Sequence, residues 1–164
     1  MIMNKEMIYD YLNKKNIRYE LIEHEAVYTM EDLSKLDIPY PDSDAKNLFV
    51  CDDKKENYYL ITVKNNKRVN LKDFQKEYHT RPLSFASSDD LFTFLKLTPG
   101  AVTPFGLLND KNLKVKFYLD KEFLDGNHLI AVHPNDNTAT VWLKVEDLID
   151  IIRKHGNMVD IIQL

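Results

Sequence analysis

The stretch KNLFVCDDKKENYYLITV, residues 46 to 63, sets the fold class of this chain. Two apolar runs, residues 47 to 51 and 58 to 63, flank a charged turn at residues 52 to 57. Short apolar runs of this kind, bounded by polar turn residues, predict two buried strands. We therefore expect a sheet at the centre of the fold.

Helices and strands alternate on both sides of this stretch. Apolar stripes and capping residues predict helices at residues 4 to 15, 70 to 78, 87 to 95 and 145 to 154, with a further helix beginning at Thr29. Apolar or alternating runs predict strands at residues 17 to 22, 114 to 119 (half-exposed), 128 to 132, 138 to 143 and 158 to 162. We expect an α/β (α+β-like) single domain over residues 1 to 164, with a mixed, largely antiparallel sheet and surrounding helices.

Composition limits the classes of function. A chain of 164 residues with 44% hydrophobic residues is long and apolar enough for one globular domain with a real core. The net charge of −4 argues against broad, nonspecific binding of nucleic acid. Cys51 is the single cysteine, which suits a reducing compartment, so we expect a cytoplasmic protein. The sequence shows neither a signal peptide nor an apolar run of membrane-spanning length.

Several common kinds of catalytic site find no support in the sequence. Paired cysteines and the HExxH pattern of zinc enzymes do not occur. The glycine-containing loop lacks the lysine and the spacing of a nucleotide P-loop, and the serines stand in no nucleophile-elbow context. We therefore expect neither a metal nor another cofactor.

Three short segments could form a pocket that holds an anion. Lys46 and Asn47 place a cation and an amide at the start of a strand, and His133 follows another strand. The loop from Gly100 to Gly106 can direct backbone N–H groups at a developing negative charge. Each has an ordinary interpretation as well: a solvated lysine, a surface loop and a packed turn histidine. Donors without a nucleophile suggest hydrolysis by a positioned water, or binding alone.

A basic cluster lies further along the chain. Its members are Lys64, Lys67, Arg68, Lys72 and Lys76, and Arg81 follows shortly after. Such a run is usually a solvated surface, but it could also contact the phosphates of a tRNA.

The three segments, in this order and with His24-Glu25-Ala26-Val27-Tyr28-Thr29 before them, resemble the YbaK/prolyl-tRNA synthetase-associated editing family. Within that family the chain is most similar to the free-standing ProX type, and the resemblance covers essentially the whole chain. It implies trans-editing, the hydrolysis of the ester that joins a wrong amino acid, usually alanine, to tRNA(Pro). It also implies that neither a metal nor a protein nucleophile takes part.

The resemblance assigns roles to individual residues. Lys46, Gly100 and His133 would be catalytic. The substrate-binding residues would be Asn47, Ala101, Val102, Thr103, Pro104 and, on a weaker match, Arg81. The resemblance implies the acceptor end of tRNA(Pro) as the partner, and it suggests prolyl-tRNA synthetase as a second partner. Neither DNA nor a membrane is expected. The ribose hydroxyl beside the ester could help to activate the attacking water.

Two alternatives stay open at this point. The same chemistry could act on another mischarged residue, cysteine or serine, because the sequence does not determine the volume of the pocket. The chain could instead be a nonenzymatic sensor of aminoacyl-tRNA that regulates gene expression. A helix-turn-helix with a basic recognition helix is not evident, which disfavours direct control of DNA.

Overall fold

The structure, a computed structural model, describes residues 2–26 and 40–164. The predicted helix beginning at Thr29 lies outside these residues. The helices of the described part are α1 Lys5–Lys14, α2 Leu71–Glu77, α3 Ser88–Leu95 and α4 Val145–His155. The strands are β1 Tyr19–Glu23, β2 Ala45–Asp52, β3 Tyr58–Lys64, β4 Leu83–Phe85, β5 Val115–Asp120, β6 Leu129–Val132, β7 Ala139–Lys144 and β8 Val159–Ile162. Short 3-10 helices occupy Pro41–Ser43, Pro104–Asn109 and Lys121–Leu124.

Side-chain caps begin the helices where the sequence predicts them. The Asn70 Oδ1 atom accepts hydrogen bonds from the first turn of α2, and the Ser87 Oγ atom accepts one from the Asp90 amide of α3. Gly156 ends α4 with a φ of 118°, a left-handed conformation that glycine adopts without steric cost. The predicted helices of the described part are therefore confirmed, within one or two residues at each end.

The described strands form two sheets. The larger has the order β4-β2-β3-β5-β8, in which β2 is antiparallel to β3 and β4, and β5 is parallel to β3 and β8. The smaller has the order β1-β7-β6 and is antiparallel throughout. An isolated bridge between Asp44 and Ala131 brings the start of β2 beside β6. The predicted mixed, largely antiparallel arrangement is confirmed, and its division into two sheets is a new feature.

One main hydrophobic core lies between the two sheets. It joins Phe49 and Leu60 of the larger sheet to Ile130 and Val141 of the smaller one, and α4 packs against it. A second cluster covers the opposite face of the larger sheet. The prediction that β5 is half-exposed is wrong, because β5 lies between β3 and β8 and is covered on both faces, so that only Lys116 of its six residues is not buried.

The smaller sheet presents two different faces, because successive residues of a strand point to opposite sides. Val141 and Leu143 of β7 point into the main core. Thr140 and Trp142 point the other way, and their partners across the sheet are Ile22 and Glu20 of β1. We call this second side the site face. In the described residues, no helix combines the length and the apolar character needed to span a bilayer.

Candidate active site

A small cavity lies where the start of β2 meets the end of β6 and the start of β7. Its volume is about 40 Å³. The lining residues are Asp44, Ala45, Asn47, Ala131, Val132, His133 and Thr140. The bridge between Asp44 and Ala131 and the antiparallel pairing of β6 with β7 bring these separate segments together. Two residues that the sequence singles out, Asn47 and His133, therefore share one cavity.

The backbone holds the imidazole of His133 in one tautomer. Its Nδ1 atom lies 2.8 Å from the carbonyl oxygen of Ala139, and because a carbonyl only accepts, Nδ1 carries the proton. Burial lowers the pKa of His133 from the ordinary value of 6.5, although the bond to Ala139 acts in the opposite direction. The ring is therefore neutral at pH 7, and Nε2 is left as an acceptor.

A second histidine stands next to the first. The rings of His24 and His133 have centroids 6.3 Å apart. The Nε2 atom of His24 lies 2.9 Å from the Thr140 hydroxyl, and its Nδ1 atom lies 2.7 Å from the Glu25 carbonyl oxygen. Sequence reasoning missed both His24 and Thr140 as site residues. The segment beginning at His24 was a signal for the former, whereas Thr140 has no distinguishing pattern around it.

The amide of Asn47 is oriented by a buried hydroxyl. Thr62, directly across from Asn47 on β3, donates a hydrogen bond of 2.6 Å to the Asn47 Oδ1 atom. Since this oxygen accepts that bond, the Nδ2 group is the donating end of the amide, and it has no acceptor among residues 2–26 and 40–164. Asn47 can thus donate a hydrogen bond to a carbonyl oxygen bound in the cavity.

Asp44 adds a carboxyl group that the sequence analysis did not single out. Burial, with a smaller contribution from the nearby charge of Asp42, raises its pKa from 3.8 to about 6. Its backbone oxygen accepts a hydrogen bond from the Asn65 amide at 3.0 Å. Asp44 also lines a wider groove of about 460 Å³ together with Asp42 and Lys64, so the small cavity borders an acidic entrance.

The side chain of Lys46 lies on the other face of the larger sheet. It alternates with Asn47 along β2, and its Nζ atom donates a hydrogen bond of 2.5 Å to the carbonyl oxygen of Lys67 in the segment after β3. Lys46 is not among the residues that line the cavity. The structure thus places the paired residues Lys46 and Asn47 on opposite sides of β2.

The loop after α3 is tied to the His133 turn through Thr103. The Thr103 hydroxyl donates a hydrogen bond of 2.6 Å to the His133 carbonyl oxygen. Gly100 has a φ of 90°, and the Ala101 amide donates to the Thr98 carbonyl oxygen, which closes a turn. Thr103 and Pro104 are buried at the start of a 3-10 helix. The loop therefore lies beside the turn that carries His133.

Two adjacent backbone amides of this loop have no acceptor among the described residues. Val102 is half-buried and packs against the main core. Within residues 2–26 and 40–164, the amides of Val102 and Thr103 donate to no acceptor. Adjacent N–H groups of this kind are the elements from which an oxyanion site is built.

Arg81 lies far from the cavity. It is exposed and forms a bidentate ion pair with Asp53, with N–O distances of 2.7 and 2.9 Å. Asp53 follows the far end of β2, six residues or about 20 Å from Asn47. The structure therefore does not bring Arg81 together with His133 and Asn47. In the described part of the chain, no group of three or more His, Cys, Asp or Glu side chains is arranged to hold a metal ion.

Comparison with known proteins identifies the family. Residues 24–151 match the model of the aminoacyl-tRNA editing domain. The chain belongs to this family. The prolyl-tRNA editing protein ProX of Acetoanaerobium sticklandii is 44% identical over 160 residues, which cover 98% of this chain and 97% of that protein. These findings confirm the resemblance to the editing family and its ProX type.

More distant relatives agree with this assignment to the editing domain family. Prolyl-tRNA synthetase associated domain-containing protein 1 of Mus musculus is 36% identical over 144 residues, 86% of this chain and 85% of that protein. A crystal structure described as a candidate trans-editing enzyme for prolyl tRNA synthetase has a TM-score of 0.72 at 18% identity, and it covers 98% of this chain and 96% of that one. At this level of identity the structural match shows the shared fold.

Proposed function

We propose that this chain is a trans-editing enzyme that hydrolyses the ester of Ala-tRNA(Pro). Membership of the aminoacyl-tRNA editing family supports the reaction class, the deacylation of aminoacyl-tRNA. The identity to a prolyl-tRNA editing protein supports tRNA(Pro) as the substrate and a place beside prolyl-tRNA synthetase in the cytoplasm. The small volume of the cavity beside His133 is the observation that supports alanine as the amino acid removed.

Size is the simplest way to separate alanine from proline. At about 40 Å³ this cavity is less than a tenth of the size of the groove beside it, which is about 460 Å³. We expect the methyl group of alanine to fit the cavity and the bulkier pyrrolidine ring of proline to overlap its walls, because overlap is steeply repulsive. We therefore expect Ala-tRNA(Pro) to be cleaved and Pro-tRNA(Pro) to be spared.

The site residues supply acceptors and donors for attack by water. His133 Nε2 accepts a hydrogen bond from the attacking water and orients it. The Asn47 amide and the free amides of Val102 and Thr103 stabilise the oxyanion of the tetrahedral intermediate. The neighbouring ribose hydroxyl of the substrate assists in removing the proton. Asp44, at the acidic entrance, attracts the α-ammonium group of the aminoacyl ester.

Three residues act away from the reacting ester in this proposal: Lys46, Gly100 and Arg81. Gly100 shapes the turn that leads to the two free amides. Lys46 acts on a phosphate or on developing charge only after its bond to the Lys67 carbonyl oxygen breaks. Arg81 and the basic cluster after β3 contact the tRNA body away from the reacting ester.

Serine is a second candidate for the acyl group. The cavity is lined partly by polar groups, of which the Asn47 amide and the Thr140 hydroxyl can hydrogen-bond a small hydroxyl. We expect serine to be cleaved more slowly than alanine, because its oxygen adds volume to an already small space.

The test is a deacylation assay with tRNA(Pro) carrying alanine, serine, cysteine or proline. We expect rapid loss of alanine and negligible loss of proline. His133→Ala and Asn47→Ala should lower the rate by about 10²–10³-fold, which is typical for the loss of an acid–base or oxyanion group. Lys46→Ala should lower it as well, because Lys46 acts on a phosphate or on developing charge in this proposal.

Arg153→Ala is the matched control, because Arg153 is exposed in the last turn of α4. It should behave as the unchanged protein does. Fast cleavage of Pro-tRNA(Pro), or full activity in both His133→Ala and Asn47→Ala, would contradict the proposal. Binding of Ala-tRNA(Pro) without any turnover would favour the sensor alternative.

A further inference from the structure

The proposed attack of water on the alanyl ester leaves one pair of hydrogen-bonded side chains at the cavity unused. The Nε2 atom of His24 lies 2.9 Å from the Thr140 hydroxyl. Thr140 lines the cavity and is only 4% exposed, so that its hydroxyl is largely shielded from water. His24 is half-buried and directly follows β1. The direction of their hydrogen bond decides whether Thr140 offers a donor or an acceptor to a ligand in the cavity.

The backbone fixes the ring of His24. Its Nδ1 atom lies 2.7 Å from the Glu25 carbonyl oxygen, and because a carbonyl only accepts, Nδ1 carries a proton. In the neutral ring, Nε2 is then an acceptor. The backbone amide of His24 donates a hydrogen bond of 2.9 Å to the Thr138 carbonyl oxygen, which holds the residue against the start of β7. His24 therefore presents an acceptor to the Thr140 hydroxyl.

The hydroxyl of Thr140 consequently spends its proton on His24. A hydroxyl group has one proton to donate and two lone pairs that accept. Within residues 2–26 and 40–164, the Thr140 oxygen forms no hydrogen bond besides the one to His24. The oxygen is thus left with lone pairs only, and Thr140 offers the cavity an acceptor. Without His24 the hydroxyl could rotate and point its proton into the cavity instead.

The cavity lining is rich in acceptors. They are the Thr140 oxygen, the Nε2 atom of His133 and the carboxyl oxygens of Asp44, while the Asn47 amide is a donor. The α-ammonium group of an aminoacyl ester carries N–H donors only, and it therefore needs acceptors around it. In the proposed function His133 holds the attacking water. Asp44 and Thr140 remain to hold the ammonium group.

We propose that the Thr140 oxygen accepts a hydrogen bond from the α-ammonium group of the alanyl ester, and that His24 is the positioning residue that keeps this oxygen an acceptor. The inference rests on the proposed function, because that function places the alanyl ester in the cavity. Asp44 attracts the ammonium group by its charge, whereas Thr140 fixes its direction. The site thereby prefers esters of amino acids to esters of simple carboxylic acids.

The test compares alanyl-tRNA(Pro) with propionyl-tRNA(Pro), which keeps the methyl group and the ester but has hydrogen in place of the ammonium group. Single-turnover rates are measured with the enzyme in excess, for the unchanged protein and for Thr140→Val, which keeps the shape of the side chain. Thr140→Val should slow alanyl hydrolysis by about 10- to 100-fold, as expected for a lost hydrogen bond to a charged group, and propionyl hydrolysis by about threefold at most. Thr140→Ser retains the hydroxyl, so it should lose less of the alanyl rate than Thr140→Val.

A double-mutant cycle on the alanyl ester tests the role of His24. His24→Ala should slow hydrolysis by about fivefold or more in the unchanged background and should add almost nothing in the Thr140→Val background, because its effect passes through the hydroxyl. The matched control combines His24→Ala with Thr80→Val, whose hydroxyl donates to the Arg81 carbonyl oxygen far from the cavity. In this control the two effects on the rate should be independent. Thermal melting of each variant checks that it is folded.

Two results would overturn the inference while the proposed function stands. In the first, Thr140→Val slows both esters by the same factor, since the threonine then acts on the water or on packing. In the second, the effects of His24→Ala and Thr140→Val on alanyl hydrolysis are independent. Failure of the unchanged protein to cleave the alanyl ester is a separate result, which would overturn the proposed function and this inference together.

Discussion

Asp44 is a carboxyl group that the fold makes harder to ionise. Burial and Asp42 raise its pKa from 3.8 to about 6, so the folded protein holds this proton more tightly than the unfolded chain does. The stability that the folded protein gains from holding this proton is fully present below about pH 4, and it is lost as the pH rises through 6. A charge kept at this cost beside His133 is typical of a functional site.

We predict that Asp44→Asn stabilises the protein at pH 7.5 and lowers its activity. The free energy of unfolding should rise by about 1–2 kcal/mol. This is less than the full pKa shift of Asp44 corresponds to, because solvent screens the charge of a group that is only partly buried. At pH 3.5 the change should be near zero. Urea unfolding at both pH values measures this, with the exposed Asp10→Asn as control. An equal change at both pH values would contradict the assigned pKa.

At the scale of the element, the loop from Gly100 to Pro104 acts through one hydrogen bond. The Thr103 hydroxyl bonds the His133 carbonyl oxygen and so links the free amides of the loop to the imidazole. The glycine and proline residues of this segment suggest a ligand-binding loop. The structure adds that the loop continues directly into a buried 3-10 helix. The donors of the loop are thereby fixed relative to the cavity before substrate binds.

We predict that Thr103→Val, which keeps the shape and removes the hydroxyl, lowers kcat for Ala-tRNA(Pro) by about 10-fold or more. The His133 carbonyl oxygen loses its donor, which also costs about 1–3 kcal/mol of stability. Thr80→Val is the matched control, since its hydroxyl donates to the Arg81 carbonyl oxygen far from the cavity. Single-turnover rates of both variants measure the effect on catalysis, and thermal melting measures the effect on stability. Equal rates in the two variants would make Thr103 a purely structural residue.

At the scale of the whole molecule, both sheets share the main core. Phe49 and Leu60 of the larger sheet pack in the same cluster as Ile130 and Val141 of the smaller one. We predict that the two sheets unfold together. The fluorescence of Trp142, the single tryptophan, reports on the smaller sheet, and far-ultraviolet circular dichroism reports on the whole chain. Urea midpoints from the two probes should coincide, and an earlier fluorescence transition would show that the smaller sheet unfolds alone.

Much of the described fold could be predicted from local patterns. Buried strands such as β2 and β3, and helices with caps at Asn70 and Ser87, follow from apolar spacing and capping chemistry within a few residues. The short strand β4 was missed, because three residues carry too little pattern to be recognised. The exposure of β5 was predicted wrongly, because burial depends on which elements cover a strand.

The sequence by itself determined the family, most of the helices and strands, and two members of the cavity, Asn47 and His133. Only the tertiary structure decided which face of β2 meets that cavity, and so separated Asn47 from Lys46. It alone brought Thr140 beside His24, to which it is hydrogen-bonded across 116 positions of the chain. The physical reason is that a side chain's identity and periodicity are local, whereas its neighbours depend on strand pairing between distant segments.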